Sequence, residues 1–546
     1  MKREPILIVA FVLSASFAAA QSHEAGEHQL GTVHFPTSCS PAVQAEFERG
    51  VAMLHSYWFN HAGETFRGVL DRDPSCVIGY WGIALDLLGN TLVSPPPTVD
   101  ARAAWNALEK ARAVDAGSPR ERDWIETARV YFRDHETVPV TTRLEGYAHA
   151  LEALAARYPD DFEAQVFYAL ALQAAAPKND VTYASQLKSA RILEGLYAQN
   201  PQHPGITHYL IHAYDFAPFA DKGIPAARRY AEIAPAVPHA RHMPAHIYSM
   251  VGLWEDSIRS NLSALEIQPD YYHASDFATY AYLQLAQDRQ ASALIAKALQ
   301  TPERGDRPPT IVNYTALAAM PARYALERAD WAGAASLRPT ASAYPQADAL
   351  TRFARALGKA RTRDVSGATL EVDALQGLRG ALEKSGDSYW AARTNEQILA
   401  ASAWIAHAQQ RDEEAVTLMR RAADGEDGSL KNVAMENRLY PLRELLADLL
   451  LEASRPADAL TEFERALSLT PNRYRGLYGA AVASEATGDM RRAADYYAKP
   501  LALATNADSV RPELERAREY LGKYRSPRLP SARLQRPEAV GASPPM

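Results

Sequence analysis

The sequence predicts an all-α fold for its 546 residues. Apolar residues recur almost everywhere at the three- and four-residue spacing of a helix face. Alanine, the residue that most favours helix, is abundant throughout. The alternation of Val, Ile and Thr with polar residues that is typical of strands is nearly absent. A hydrophobic content of 47% is also enough for a large buried core.

A repeated unit organises these helices. Residues 43–76 read VQAEFERGVAMLHSYWFNHAGETFRGVLDRDPSC, with Gly50 and Ala62 where two helices would touch and Pro74 after the second helix. Small side chains let helices approach closely, and proline cannot continue a helix. The unit resembles the 34-residue tetratricopeptide repeat, which has small residues at positions 8, 20 and 27 and proline at position 32. Only Val69, at position 27, departs from that pattern.

The same register fits much of the chain. Further matches occupy residues 238–271, 272–305, 440–473 and 474–507, and weaker units begin near residues 77, 162, 204, 315 and 396. The resemblance covers roughly residues 40–520. It implies a solenoid of about ten helical hairpins, stacked as a right-handed superhelix with a concave inner groove.

The N-terminus has the pattern of a secretory signal peptide over residues 1–20. Two cations in MKREP precede the apolar run ILIVAFVLSASF, and small residues lead to a cleavage site after Ala20. The run is too short for a membrane-spanning helix, which needs roughly 20 residues. We therefore expect a periplasmic or secreted protein without a membrane span.

Composition divides the remaining chain. We expect a loose N-terminal arm at 21–38, an N-terminal array with the His-rich concave groove at 39–300, and a C-terminal array at 301–523. Residues 524–546 are Pro-rich and aperiodic, which predicts a disordered tail. Within the first array, Pro, Gly and Asp predict a loop at 216–225.

The charge and the fold of the chain limit the classes of partner that we expect. The net charge is −7, with 23% charged residues and no basic stripe, so nucleic acid is not an expected partner. A solenoid of this kind is expected to hold a protein or peptide in its concave groove.

The two cysteines are expected to form a disulfide. Cys39 precedes the first helix of its hairpin and Cys76 follows the second, and those two ends are neighbours in an antiparallel hairpin. An exported protein oxidises such a pair readily. Two free thiols near each other are the alternative.

Histidines fall in register in two consecutive repeats. His208 and His212 take positions 5 and 9 of the unit from residue 204, and His242 and His246 take the same positions from residue 238. In the tetratricopeptide family these positions line the concave groove. Residues at i and i+4 share a helix face, and first helices of neighbouring units lie about 10 Å apart. The register therefore predicts that the four imidazoles face each other.

Other candidate ligands lie nearby. His239 takes position 2 of the same unit, and the next unit places His273 and Asp276 at its periphery. Imidazoles with a carboxylate are typical of a transition-metal site, here zinc or copper. Met243 and Met250 would favour copper if their thioethers faced the site.

Two other interpretations stay open: a groove that binds an anionic peptide through histidine, and a hydrogen-bond network without a ligand. Pro244 either kinks a helix that begins at Pro238 or begins a helix after a turn formed by HARH. His55, at position 13 of the first unit, is expected far along the array.

The sequence favours a binding scaffold with a metal site over an enzyme. It contains no HExxH motif, nucleophile elbow or phosphate-binding loop. The alternative is a metal-dependent hydrolase or oxidase, for which Asp215 is the best candidate base. An enzyme predicts buried histidines, whereas a scaffold predicts an open groove.

The chain also resembles exported bacterial tetratricopeptide proteins that carry HYLIHAYD and HARHMPAHIYSMVGLWEDSI, found here from residues 208 and 239. No established activity comes with that resemblance. It supports the expectations of export and fold.

Overall fold

The computed structural model describes residues 29–302, 310–339, 341–431 and 438–523. These segments are helical and contain no strand. The predicted signal peptide and C-terminal tail lie outside the described residues. In the first array the helices are α1 Pro41–His55, α2 Phe59–Arg72, α3 Val77–Leu88, α4 Thr98–Ala113, α5 Pro119–Phe132, α6 Val140–Arg157, α7 Phe162–Ala174, α8 Ala184–Tyr197, α9 Pro204–Tyr214, α10 Ala220–Ile233, α11 Pro238–His242, α12 Pro244–Met250, α13 Trp254–Ile267, α14 Tyr272–Gln284 and α15 Asp288–Gln300.

The second array continues the same pattern to the end of the described chain. Its helices are α16 Ile311–Leu326, α17 Trp331–Ser336, α18 Pro345–Arg361, α19 Val365–Lys384, α20 Ser388–Ala408, α21 Asp412–Asp427, α22 Leu442–Glu452, α23 Pro456–Leu469, α24 Tyr474–Ala486, α25 Met490–Leu503 and α26 Pro512–Lys523, with a 3₁₀ turn at Ala504–Asn506. In the described part of the chain, no helix is both long and apolar enough to cross a bilayer.

Local sequence signals set where the helices begin. Ser118 and Glu121 form a capping box that begins α5, and the Asp161 side chain caps α7. Pro41 and Pro204 occupy first-turn positions of α1 and α9, where a missing backbone N–H costs nothing. The helix boundaries therefore follow from residues that the sequence analysis can read.

Small residues permit the close packing of successive helices. A Cβ atom on Gly50 would lie 2.8 Å from the Phe66 ring, and one on Gly82 would lie 2.5 Å from it. Phe66 of α2 thus fills the space that glycines leave on α1 and α3. Successive helices pack on one another along the chain, which confirms the predicted all-α solenoid of tetratricopeptide-type hairpins.

The N-terminal arm differs from its prediction as a loose segment. In its described part, residues 29–38, Leu30 and Phe35 are buried. The Phe35 ring lies 5.1 Å from the Trp124 ring and 5.6 Å from the Trp81 ring, measured between centroids. Burying an aromatic ring of this size stabilises the folded state by roughly 2 kcal/mol, so this part of the arm belongs to the core.

Cys39 and Cys76 are paired as the hairpin geometry predicts. Their Cα atoms lie 4.8 Å apart and their sulfur atoms lie at bonding distance. The pair joins the start of α1 to the start of α3.

Two proline-containing segments are more helical than their composition indicates. Pro225 lies inside α10, so the predicted loop at 216–225 is helix from Ala220 onward. At Pro244 the helix is interrupted, but Met243 keeps helical angles of φ −53° and ψ −35° and HARH is helical. Each proline removes one helix hydrogen bond, which the packing of the remaining turns offsets.

The second array returns onto the middle of the chain. The Trp254 indole donates a hydrogen bond of 2.9 Å to the carbonyl oxygen of Asn472. The buried Arg473 guanidinium bonds the Tyr280 hydroxyl at 2.6 Å and the Glu327 carboxylate at 2.8 Å. These contacts join residues about 150 to 220 positions apart. The second array therefore packs against α13 and α14 of the first array.

Candidate metal centre

Six imidazoles converge at the inner face of the first array. They are carried by α9 (His208, His212), α11 (His239, His242), α12 (His246) and α14 (His273). Their ring nitrogens form two sets of three, and within each set the atoms lie within 4.8 Å of one another. We call His208, His212 and His239 the first triad, and His242, His246 and His273 the second triad.

In the first triad, the lone pair of one ring nitrogen, His208 Nε2, faces the nitrogens of two other rings. The His208 Nε2 atom lies 3.1 Å from Nε2 of His212 and 3.0 Å from Nε2 of His239. His208 Nδ1 lies 2.6 Å from the carbonyl oxygen of His55. A carbonyl can only accept, so Nδ1 carries the hydrogen and the neutral ring has a bare Nε2. At most one neighbouring nitrogen can donate to it.

In the second triad, two bare nitrogens face each other. His242 Nδ1 donates to the Asn261 side-chain oxygen at 2.6 Å, and Asn261 donates through its nitrogen to the Ser257 carbonyl at 2.8 Å, which fixes the amide orientation. His246 Nδ1 donates to the Asp215 carboxylate at 2.9 Å. The Nε2 atoms of His242 and His246 therefore both lack hydrogen when neutral, yet they lie 3.1 Å apart. A cation between or beside them would make this contact favourable.

Burial disfavours a proton as that cation, because it disfavours the charged form of imidazole. Loss of solvent lowers the pKa of His208 to about 3 and that of His242 to about 4. It lowers the pKa of the other four rings well below the ordinary value; these are His212, His239, His246 and His273. Neutral imidazoles with converging lone pairs are the form that binds Zn²⁺ or Cu²⁺, so the residues present fit a metal ion.

The two triads share one chamber. The ring centroids of His212 and His246 lie 5.9 Å apart, and those of His239 and His242 lie 6.2 Å apart. Each triad offers three ligands, which in catalytic metal sites leaves a coordination position open for water or substrate.

Oxygen atoms behind the rings hold their orientation. One oxygen of Asp215 accepts from His246, and the other pairs with the Lys431 ammonium at 2.9 Å. Burial raises the pKa of the Asp215 carboxyl, and the Lys431 charge opposes that rise. The Tyr271 hydroxyl lies 2.8 Å from His239 Nδ1. Asp215, the candidate base, is thus placed as a positioning residue for His246.

Aromatic rings cover the chamber. Tyr57 stacks on His239 with centroids 5.2 Å apart and meets His208 edge-on at 4.5 Å. Its φ of 53° is in the left-handed region, which non-glycine residues seldom adopt. Phe277 lies 4.8 Å from His242 and 4.6 Å from His246. At this point the predicted His-lined groove is therefore a largely buried cluster, in which five of the six rings are buried and His239 is partly exposed.

Two of the residues suggested by spacing lie elsewhere. The Asp276 carboxylate forms a buried ion pair of 3.0 Å with Arg323 and belongs to neither triad. Met243 is fully buried in the apolar core of the first array. The core position of Met243 removes part of the sequence argument for copper over zinc.

A second histidine cluster lies directly behind the first triad. His55, expected far along the array, accepts from His208 through its carbonyl and bonds Glu163 through Nε2 at 2.8 Å. Glu163 also bonds His203 Nε2 at 2.9 Å. Sequence reasoning missed Glu163 and His203, because repeat register singled out neither. His203 followed by Pro204 is the one local signal, that of a helix N-cap.

Comparison with known proteins adds only distant likenesses. Neither protein-family models nor curated proteins match the chain. The human IFIT1 dimer with m7Gppp-AAAA is similar over 78% of this chain and 90% of its own, at 13% identity and a TM-score of 0.36. The APC/C hetero-tetramer Cut9–Hcn1 is similar over 88% of this chain and 90% of its own, at 12% identity and a TM-score of 0.30. At these values the likenesses carry no argument about function.

Proposed function

We propose that this protein is an exported metalloprotein that holds two transition-metal cations, one in each histidine triad. Zinc and copper are the metals that such all-imidazole sets prefer among those available in exported proteins. The paired cysteines agree with an oxidising compartment. Bound metal would act as a Lewis acid or redox centre, and the chain supplies the ligands, their orientation and a water-poor chamber.

One observation carries this proposal. The Nε2 atoms of His242 and His246 lie 3.1 Å apart while both Nδ1 atoms donate to oxygen. In a buried site this arrangement leaves two lone pairs unsatisfied at a cost of about 1–3 kcal/mol each. A shared metal ion removes that cost, because both lone pairs then become ligands.

A peptide-binding scaffold is the second candidate. Stacked hairpins present extended surfaces that bind other chains, and this is the role the sequence alone favours. However, the imidazoles at positions 5 and 9 are nearly inaccessible, with His212 only 5% exposed and His246 only 2%. They cannot form the wall of an open groove, so a scaffold would have to use other surfaces.

Metal analysis of the purified, dialysed protein tests the proposal. We expect near two equivalents of metal per chain, either as isolated or after loading with Zn²⁺, Cu²⁺ or Co²⁺. Replacing His242 and His246 by Gln should remove one equivalent, and replacing His208 and His212 should remove the other.

His149→Gln is the matched control, because His149 is exposed on α6. It should keep both equivalents. Circular dichroism must show that every variant is folded. A folded wild-type protein that binds no metal, or triad variants that bind as much as wild type, would refute the proposal.

A further inference from the structure

A cleft of about 540 Å³ opens between the two arrays. Its walls come from the α3–α4 loop with Val93, from α6 with Leu144, from the α7–α8 loop with Lys178, and from the start of α20 with Trp390. This volume lies in the range that holds a small organic molecule and is too small for a folded partner.

Lys178 is a basic residue in the lining of this cleft. Burial lowers the pKa of its ammonium, and among the described residues no carboxylate pairs with it. Glu145 lines the cleft but is exposed, and Asp387 caps α20 by accepting from the Trp390 backbone N–H at 3.1 Å. Lys178 is partly buried and lines the cleft, and an ammonium without a counter-ion is stabilised by an anion, so the cleft favours an anionic group on its ligand.

The walls around Lys178 favour an aromatic body on that ligand. Tyr131, Tyr389 and Trp390 line the cleft together with aliphatic side chains. The Tyr389 hydroxyl donates to the Leu430 carbonyl at 2.9 Å, which fixes its ring as a wall. Flat, fixed rings of this kind favour stacking or edge contact with another ring.

The cleft is joined to the histidine chamber by a short chain of contacts. The Leu430 N–H donates to the Lys178 carbonyl at 2.9 Å. The next residue, Lys431, pairs with Asp215, which in turn accepts from His246. A small molecule that contacts Lys178 therefore lies near the segment 430–431. Lys431 of this segment pairs with Asp215, which orients His246 of the second triad.

A second, smaller cavity shares part of its wall with the cleft. Tyr389 and Trp390 line both, and Lys431 also lines the smaller cavity. The residue that pairs with Asp215 therefore lies one cavity away from the cleft.

We infer that the cleft binds a small aromatic carboxylate near the proposed metal centre, with Lys178 pairing with its carboxylate group. The nearness to a bound metal ion rests on the proposed function, whereas the binding itself does not. The ring would lie against Trp390 and Tyr389, and its far end would point toward Lys431.

Calorimetric titration of the Co²⁺-loaded protein with benzoate, phenylacetate and 3-phenylpropionate tests the inference. We expect saturable one-site binding of at least one acid, and weaker binding of the matching neutral alcohol. Lys178→Met should weaken binding of the acid at least about tenfold and leave binding of the alcohol unchanged. Trp390→Leu should weaken both.

The control is Lys222→Met, which removes an exposed lysine of α10 and should leave binding unchanged. Binding should also shift the visible cobalt spectrum of the second triad. No saturable binding, binding that does not depend on Lys178, or an unchanged cobalt spectrum would overturn the inference. A protein that binds the acid but no metal would instead refute only the proposed metal function.

Discussion

Two groups of buried histidines lie against each other in this protein: the cluster of His55, Glu163 and His203, and the two triads. The two groups differ in how the ring nitrogens find hydrogen-bond partners. In the cluster of His55, Glu163 and His203, each close contact has a hydrogen to share. His203 Nδ1 accepts from the Ile206 N–H at 3.2 Å, so its Nε2 carries the hydrogen that Glu163 accepts. In the first triad, His208 Nε2 faces two nitrogens and can accept from only one of them. In the second triad, the Nε2 atoms of neutral His242 and His246 lie 3.1 Å apart without a hydrogen between them.

This difference distinguishes a structural hydrogen-bond network from the proposed metal site. Close packing of histidines is not by itself evidence for metal, because a carboxylate between two imidazoles satisfies them completely. Burial lowers the pKa of His55, and the two histidines hold the pKa of Glu163 at about 2, against its own desolvation. Among the described residues, no carboxylate lies at the centre of either triad, and a metal cation would satisfy the lone pairs that face each other in the second triad.

Lowering the pH should have the largest effect on the stability of the protein, and it should affect the two groups of histidines over different pH ranges. Unfolded histidine titrates near pH 6.5, whereas folded His208 and His242 titrate near 3 and 4, so below pH 6.5 the unfolded chain binds more protons. The stability of the metal-free protein is therefore full above pH 6.5 and falls toward pH 4. Each imidazole contributes up to about 1.4 kcal/mol per pH unit.

Glu163 behaves differently, since its lowered pKa gives a contribution that is present above pH 4.5 and lost as the pH falls toward 2. Urea unfolding of chelator-treated protein across this range measures both. A stability that stays constant from pH 6.5 to 4 would contradict the assignment of neutral, buried triads.

Removal of the central carboxylate should be the most damaging single substitution. Glu163→Ala leaves two buried imidazoles without their acceptor, which we expect to cost about 3–5 kcal/mol in the free energy of unfolding. The folded fraction should keep its metal. Urea titration and metal analysis of the same sample measure the two effects, with the exposed Glu64→Ala as control. Loss of metal at unchanged stability would reverse the roles of the clusters.

Asp215→Asn should weaken metal binding without preventing folding. The neutral amide can still hydrogen-bond His246, but it makes the His246 imidazole a weaker metal ligand. Such a change typically costs 10–100-fold in metal affinity, or about 1.4–2.7 kcal/mol. Competition with a chelator of known affinity measures the change. Asp221→Asn, an exposed change on α10, should have no effect. Equal affinities for both variants would remove Asp215 from the centre.

The smallest effects should come from the two tyrosines beside the clusters. Tyr209 bonds His55 Nδ1 at 2.9 Å through its hydroxyl, so Tyr209→Phe should cost about 1 kcal/mol. The Tyr57 hydroxyl is buried with no hydrogen-bond partner among the described residues, so Tyr57→Phe should be near neutral. Thermal unfolding of the pair measures the contrast, and a costly Tyr57→Phe would reveal a contact to bound ligand.

Much of the fold could be predicted because its signals are local. Helical periodicity, capping residues such as Ser118 and small residues such as Gly50 act within one hairpin, and so does the pairing of Cys39 with Cys76. The register also predicts that His208 and His212 share a face, and their Nε2 atoms lie 3.1 Å apart. Assignments of metal and export stay predictions.

The sequence by itself determined the helices, the repeat register and the shared helix face of His208 and His212, since each depends on residues within about one hairpin. Only the tertiary structure decided that the histidines of the triads are largely buried, that His55 lies against His208, and that Lys431 reaches Asp215 from more than 200 residues away. These contacts depend on small rotations summed over many repeats and on the return of the second array. No local pattern encodes that sum, because each repeat contacts mainly its neighbours.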